Sequence, residues 1–162
     1  MGDERRILEQ AIRRAISGAD AHAETKAVFS GLDWKLVGTK IDGAPYSIYQ
    51  LLNHMFYWQD WVLKWLDGAE PPIPKHASGG WPGEIGPGNR KNWEVALRRF
   101  HSGLEKLARS PRHLDLLAKG REKTPFEMLL TIASHNSYHA GQVALLRRAL
   151  GAWPPPSGGI TW

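Results

Sequence analysis

The chain contains no cysteine, which excludes a disulfide framework, a thiolate metal site and a cysteine nucleophile. No apolar run comes near the roughly 18 residues that a membrane span needs. The opening MGDERRILEQAIRRA mixes acids and bases where a secretory leader would carry an apolar stretch. Strand-like alternation of any length is missing, as is a glycine-rich phosphate loop. These absences predict a cytoplasmic protein with no membrane partner. At 162 residues a single domain over 1–162 is expected, long enough to bury a core without staples.

What the chain does have is helical. Residues 4–31 carry apolar positions at helical spacing (Ile7, Leu8, Ala11, Ile12, Ala15, Ile16), with a break at Gly18 or Asp20, after which AHAETKAVFSGL resumes the pattern. Residues 33–46 hold Gly38, Gly43 and Pro45 and read as a connection. Ser47 and Gln50 then form a capping box opening a second helix, with Ser47, Leu51, His54, Trp58, Trp61 and Trp65 on its seam and a stop at Asp67-Gly68. Residues 69–89 contain five Pro and five Gly. So long an unstructured connection is usually a lid or a crossover, and Trp81 and His76 are the side chains expected to fold over the bundle end.

A third helix is expected from about Asn92 to Ala108, with Trp93, Leu97, Phe100, Leu104 and Leu107 inward and Pro111 ending it. A polar connection, 110–123, follows. The fourth helix opens on Thr124, Pro125 and Glu127, a capping box with proline at the first position. Its seam is Leu129, Ile132, Asn136, His139, Val143, Leu146 and Leu150, and Arg147, Arg148, Gly151 and Pro154 close it. The tail WPPPSGGITW cannot be helical, and its final Trp162 is expected on the bundle surface. The fold class is therefore all-α, an antiparallel four-helix bundle with a long Pro/Gly-rich loop between helices two and three.

The net charge of +5 is unevenly placed, since residues 90–123 hold ten Lys/Arg against four Asp/Glu, a local +6. A solvated outer helix face accounts for this run more economically than a phosphate-binding one. No nucleic-acid motif accompanies it, so no specific nucleic-acid partner is expected.

Three histidines fall on or beside interior stripes. His135 and His139, four apart, leave one face of the fourth helix about 6 Å from each other, and His54 faces inward from the second. Three neutral imidazoles would hold a divalent ion and leave it a free position, the arrangement of catalytic zinc sites. A metal-free hydrogen-bond network is the rival reading of the same residues. Candidate outer partners or pocket residues are Asn136, Tyr138, Gln142, Asn53, Gln59 and Trp58. His22 either approaches the site, orders the helix break or is simply a partly exposed histidine. Because ligation needs neutral imidazole, metal binding is expected to weaken between about pH 8 and pH 5.

The segment SHNSYHAGQVALLRRALGAW resembles the signature of the DinB-like proteins (the damage-inducible family, not the lesion-bypass polymerase of the same name). The likeness extends to AHAETKAVFSGLDW, to GAPYSIYQLLNHMFYWQDWVL and to WEVALRRFHSGLEKL, touching all four helices. It implies a four-helix bundle binding zinc, nickel or a similar ion through one histidine of helix two and two of helix four, which map onto His54, His135 and His139. Related proteins include mycothiol-dependent maleylpyruvate isomerase and bacillithiol S-transferases, so the resemblance implies a low-molecular-weight thiol as cosubstrate. A hydrolase using water, and a non-enzymatic bundle with a structural metal that binds a small ligand or partner, are the alternatives; a homodimer is left open.

Overall fold

A computed structural model describes residues 2–119 and 121–158. Four helices carry the fold: α1 (Gly2–Ser17), α2 (Ile48–Leu66), α3 (Arg90–Arg109) and α4 (Pro125–Ala149), with no strand among the described residues. Both capping boxes form, Ser47 with Gln50 and Thr124 with Glu127, each satisfying helix-end N–H groups that would otherwise be orphaned. α3 gains a cap of its own, Asn89, whose side chain accepts from the Asn92 N–H at 2.9 Å. Among the described residues, no helix is long and apolar enough to cross a membrane.

α2 packs on α3 and α4, and α1 packs on the same two helices, so the four close a ring with α1 and α2 across the diagonal. A core of aliphatic and aromatic side chains fills the interior, Phe29 meeting Phe100 edge-on at 4.9 Å. The expected seams of α3 and α4 face inward. On α1 the buried stripe is narrower than expected, Ile12 and Ile16 inside and Ile7 exposed. On α2 the deepest stripe runs Ile48, Leu52, Met55, Gln59 and Val62, with Trp58, Trp61 and Trp65 half-buried one step around the helix. Those indoles flank the core rather than fill it, which leaves them free to line a cavity.

The expected helical stretch over AHAETKAVFSGL is not formed; only Ala27–Phe29 makes a single 3₁₀ turn. Gly18 stops α1 in the left-handed region at φ +76°, and the His22 ring lies where a Cβ on Gly18 would be. The chain then turns back, the Thr25 N–H donating to the Ser17 carbonyl at 2.9 Å. The tail docks against this region, because Gly31, also left-handed at φ +70°, leaves room for the Pro156 ring. Trp162, expected on the bundle surface, lies outside the described residues.

The basic run sits mostly on exposed positions of α3 and the connection after it. Part of it is locally paired, Arg109 with Glu105 at 3.7 Å and the Arg99 guanidinium over the Phe56 ring at 4.4 Å.

Candidate metal centre

α2 and α4 pack directly, and their registers bring His54, His135 and His139 together so that one ring nitrogen from each lies within 4.8 Å of the others. Ring centroids are 5.1 Å apart for His54 and His135, 4.8 Å for His54 and His139, and 4.5 Å for His135 and His139. His54 and His139 are buried and His135 half-buried.

Two of the rings are oriented from behind. His54 Nδ1 donates to the Gly80 carbonyl at 2.7 Å, and His139 Nδ1 donates to Gln142 Oε1 at 2.7 Å. With Nδ1 carrying the proton, Nε2 keeps its lone pair. An outer carbonyl or amide oxygen holding the far nitrogen is the usual companion of a metal-ligating histidine. His135 Nε2 stands 3.2 Å from His54 Nε2, while its Nδ1 is buried without a partner among the described residues. Two imidazole nitrogens so close share either one proton or one cation. The all-nitrogen donor set, converging and held on two rings by oxygen partners, fits a divalent ion of the zinc type.

Burial sets the charge state. It pushes His54 down to about 4, against the opposing Gly80 hydrogen bond and with His139 adding to the fall. His135 falls to about 4 through burial and then through its neighbours His139 and His54. Burial also lowers His139, partly offset by Gln142. His54 and His135 are thus held neutral into the acid range, and His139 is held below its ordinary value.

The sign for stability follows. Between the ordinary value of 6.5 and about 4 the unfolded chain takes up protons that folded His54 and His135 refuse. Metal-free protein should therefore lose thermal stability progressively as pH falls through that window, read as the calorimetric midpoint. A midpoint independent of pH there would show that the rings titrate as free imidazoles.

The Pro/Gly-rich loop contributes more than length. Trp81 stacks on the His54 ring at 3.7 Å and 6°, and Tyr46 stacks on Trp81 at 3.4 Å and 7°. Gly80 is buried beneath, where a Cβ would press on the Trp58 Nε1 at 3.2 Å. Trp81 therefore lies over the His54 ring, not simply over the bundle end, while His76 stays exposed. Neither Tyr46 nor Gly80 stood out in the sequence; a glycine pair before a lone Trp in a proline-rich loop was the available signal.

Among the other candidates, Gln142 is in place and Trp58 lies with its ring 6.4 Å from that of His135. Asn136 is fully buried next to His135, with neither amide atom partnered among the described residues. Tyr138 is 66 % exposed, its ring 5.0 Å from His139. Asn53 donates to the Tyr49 carbonyl, and Gln59 packs against Gly103 on α3, so the structure gives neither a bond to the three rings. His22 lies on the α1 side of α4, between the Ala23 carbonyl at 2.7 Å and Ser137 Oγ at 2.9 Å, and orders the break after α1.

Because Gln142 fixes the His139 tautomer, Gln142→Leu should weaken zinc binding by about 10- to 100-fold, the usual cost of losing such a partner. Competition with a chromogenic chelator reads this directly; unchanged affinity would mean that His139 needs no orienting group.

No family model, curated protein or solved structure matches the chain.

Proposed function

We propose that His54, His135 and His139 hold one divalent metal ion, zinc or nickel, and that the protein is a metal-dependent enzyme of the DinB-like kind acting on a small molecule. The observation that carries this reading is the convergence of three neutral imidazoles within 4.8 Å, one of which, His135, also lines a cavity of about 320 Å³. A site serving structure alone needs no such approach. When bound, the ion would supply Lewis-acid activation, lowering the pKa of a thiol or of water near neutral pH.

The chain's own residues do the rest. Gly80 and Gln142 hold two imidazoles in the ligating tautomer, and Trp81 keeps bulk water off one face of His54. With no cysteine present, a thiol nucleophile must arrive as a low-molecular-weight cosubstrate. Transfer or isomerisation with such a thiol is the reading placed first, on the sequence resemblance; water in its place would make a hydrolase. Trp81 stacked on His54 favours a second reading, a structural metal fixing α2 to α4 and the loop.

Metal-loaded protein assayed with a panel of small thiols and an electrophile, beside ester and amide substrates, separates these. Thiol-dependent turnover lost in His54→Ala is the expected result. Thiol-independent hydrolysis lost in that variant would make the protein a hydrolase. Stoichiometric metal with no turnover in either panel would support the structural reading.

A further inference from the structure

The cavity beside His135 has a composition that the metal site does not explain. One wall is three half-buried indoles of α2, Trp58, Trp61 and Trp65; α4 supplies Ile132 and His135, and Lys123 stands on the connection before α4. Its volume of about 320 Å³ falls at the lower end of small-molecule pockets. Flat apolar walls select a flat apolar group.

The charges at this cavity decide what that group carries. Lys123 Nζ makes one hydrogen bond among the described residues, to Thr131 Oγ1 at 3.2 Å, and keeps N–H groups for another acceptor. The Trp65 face is already taken by the Arg121 guanidinium at 4.7 Å, itself anchored on the Trp65 and Gly68 carbonyls at 2.7 and 2.8 Å. A ligand cation would find that indole occupied and two positive charges nearby. Among the described residues the one acid lining the cavity, Glu122, is solvent-exposed and offsets one of them. An anion is the better match.

Spacing adds a direction. Thr131, which holds Lys123, precedes His135 by one turn of α4, a rise of about 6 Å. Lys123, held at Thr131, and His135 therefore border the same cavity one helical turn apart.

We propose that this cavity binds an aromatic carboxylate, its ring against Trp58 and Trp61, its acid group on Lys123, and its opposite edge presented to His135. The assignment deepens the reading of the three histidines as a reactive centre and rests on it for the ligand's role as substrate, though not for its binding.

The test is calorimetric titration of metal-free and zinc-loaded protein with three probes of one shape: 2-naphthoate, neutral 2-naphthamide and the (2-naphthylmethyl)trimethylammonium cation. Naphthoate should bind saturably and at least about 10-fold more tightly than the amide, the scale of one hydrogen bond to a charged group. Lys123→Gln, a half-buried connection position away from the ligating rings, should erase that preference while leaving zinc stoichiometry unchanged. Trp61→Ala should weaken naphthoate and amide alike. Equal affinity for acid and amide, preference for the cation, or no binding at all would overturn the proposal. Naphthoate bound by a protein that takes no zinc would uphold the cavity and sink the metal reading; zinc bound without naphthoate would do the reverse.

Discussion

Alanine at both His135 and His139 should abolish divalent-ion binding. The two residues supply two of three converging nitrogens from one face of α4, and the remaining ligand, His54, is a single imidazole with no carboxylate beside it in the cluster. One imidazole binds zinc only weakly, whereas structural zinc sites reach about 10–16 kcal/mol with a full ligand set. Titration of the metal-free variant with zinc should give no saturable heat where the parent gives one event per chain. The fold should survive, because the core around Leu129, Ile132 and Val143 is untouched and both capping boxes lie elsewhere. The metal-free rings are neutral, so no buried ion pair is broken. Retention of tight binding by the double variant would place the ligands elsewhere.

The largest effect on stability is expected far from the site. Arg147→Ala should cost about 3 kcal/mol or more, since each buried acceptor left unsatisfied costs about 1–3 kcal/mol. Arg147 is 2 % exposed, and its guanidinium donates to the Val28, Ser30 and Ala152 carbonyls at 2.7 to 2.9 Å. It therefore ties α4 to the turn at Ala27–Phe29 and to the start of the tail. Alanine would strand those acceptors and open a cavity at once. Its neighbour Arg148 is exposed, so Arg148→Ala should stay within about 0.5 kcal/mol. Equal denaturation midpoints for the two variants would show that Arg147 contributes only as a last-turn cation.

That contrast shows where the sequence was legible. α4 could be read almost whole, because its start and stop chemistry is local: Thr124, Pro125 and Glu127 at one end and Gly151 at the other, at φ +68°. Its inward stripe is periodic, so Asn136 and His139 stood out as polar members of an apolar row, and their burial follows. Arg147 carried the same local signature as Arg148; what buries it is the tertiary approach of residues 28, 30 and 152, which no helical period encodes. The stretch after Gly18 failed for a related reason. Its composition suits a helix, yet His22 bonding Ser137 across the bundle, and the Thr25 N–H returning to Ser17, favour a compact turn. At the site the three rings were legible from register alone. The Trp81–Tyr46 stack and the Gly80 carbonyl were not, because loops without period announce composition and not contacts.

Everything about function turns on whether the three imidazoles hold an ion. Elemental analysis of the protein purified without a histidine tag, reconstituted with one equivalent of zinc and then dialysed exhaustively against metal-free buffer, tests this most directly. One tightly held ion per chain in the parent, with none in His135→Ala/His139→Ala, is the predicted result. A parent that retains no ion under the same conditions would contradict the metal centre and leave the histidines as a hydrogen-bonded core.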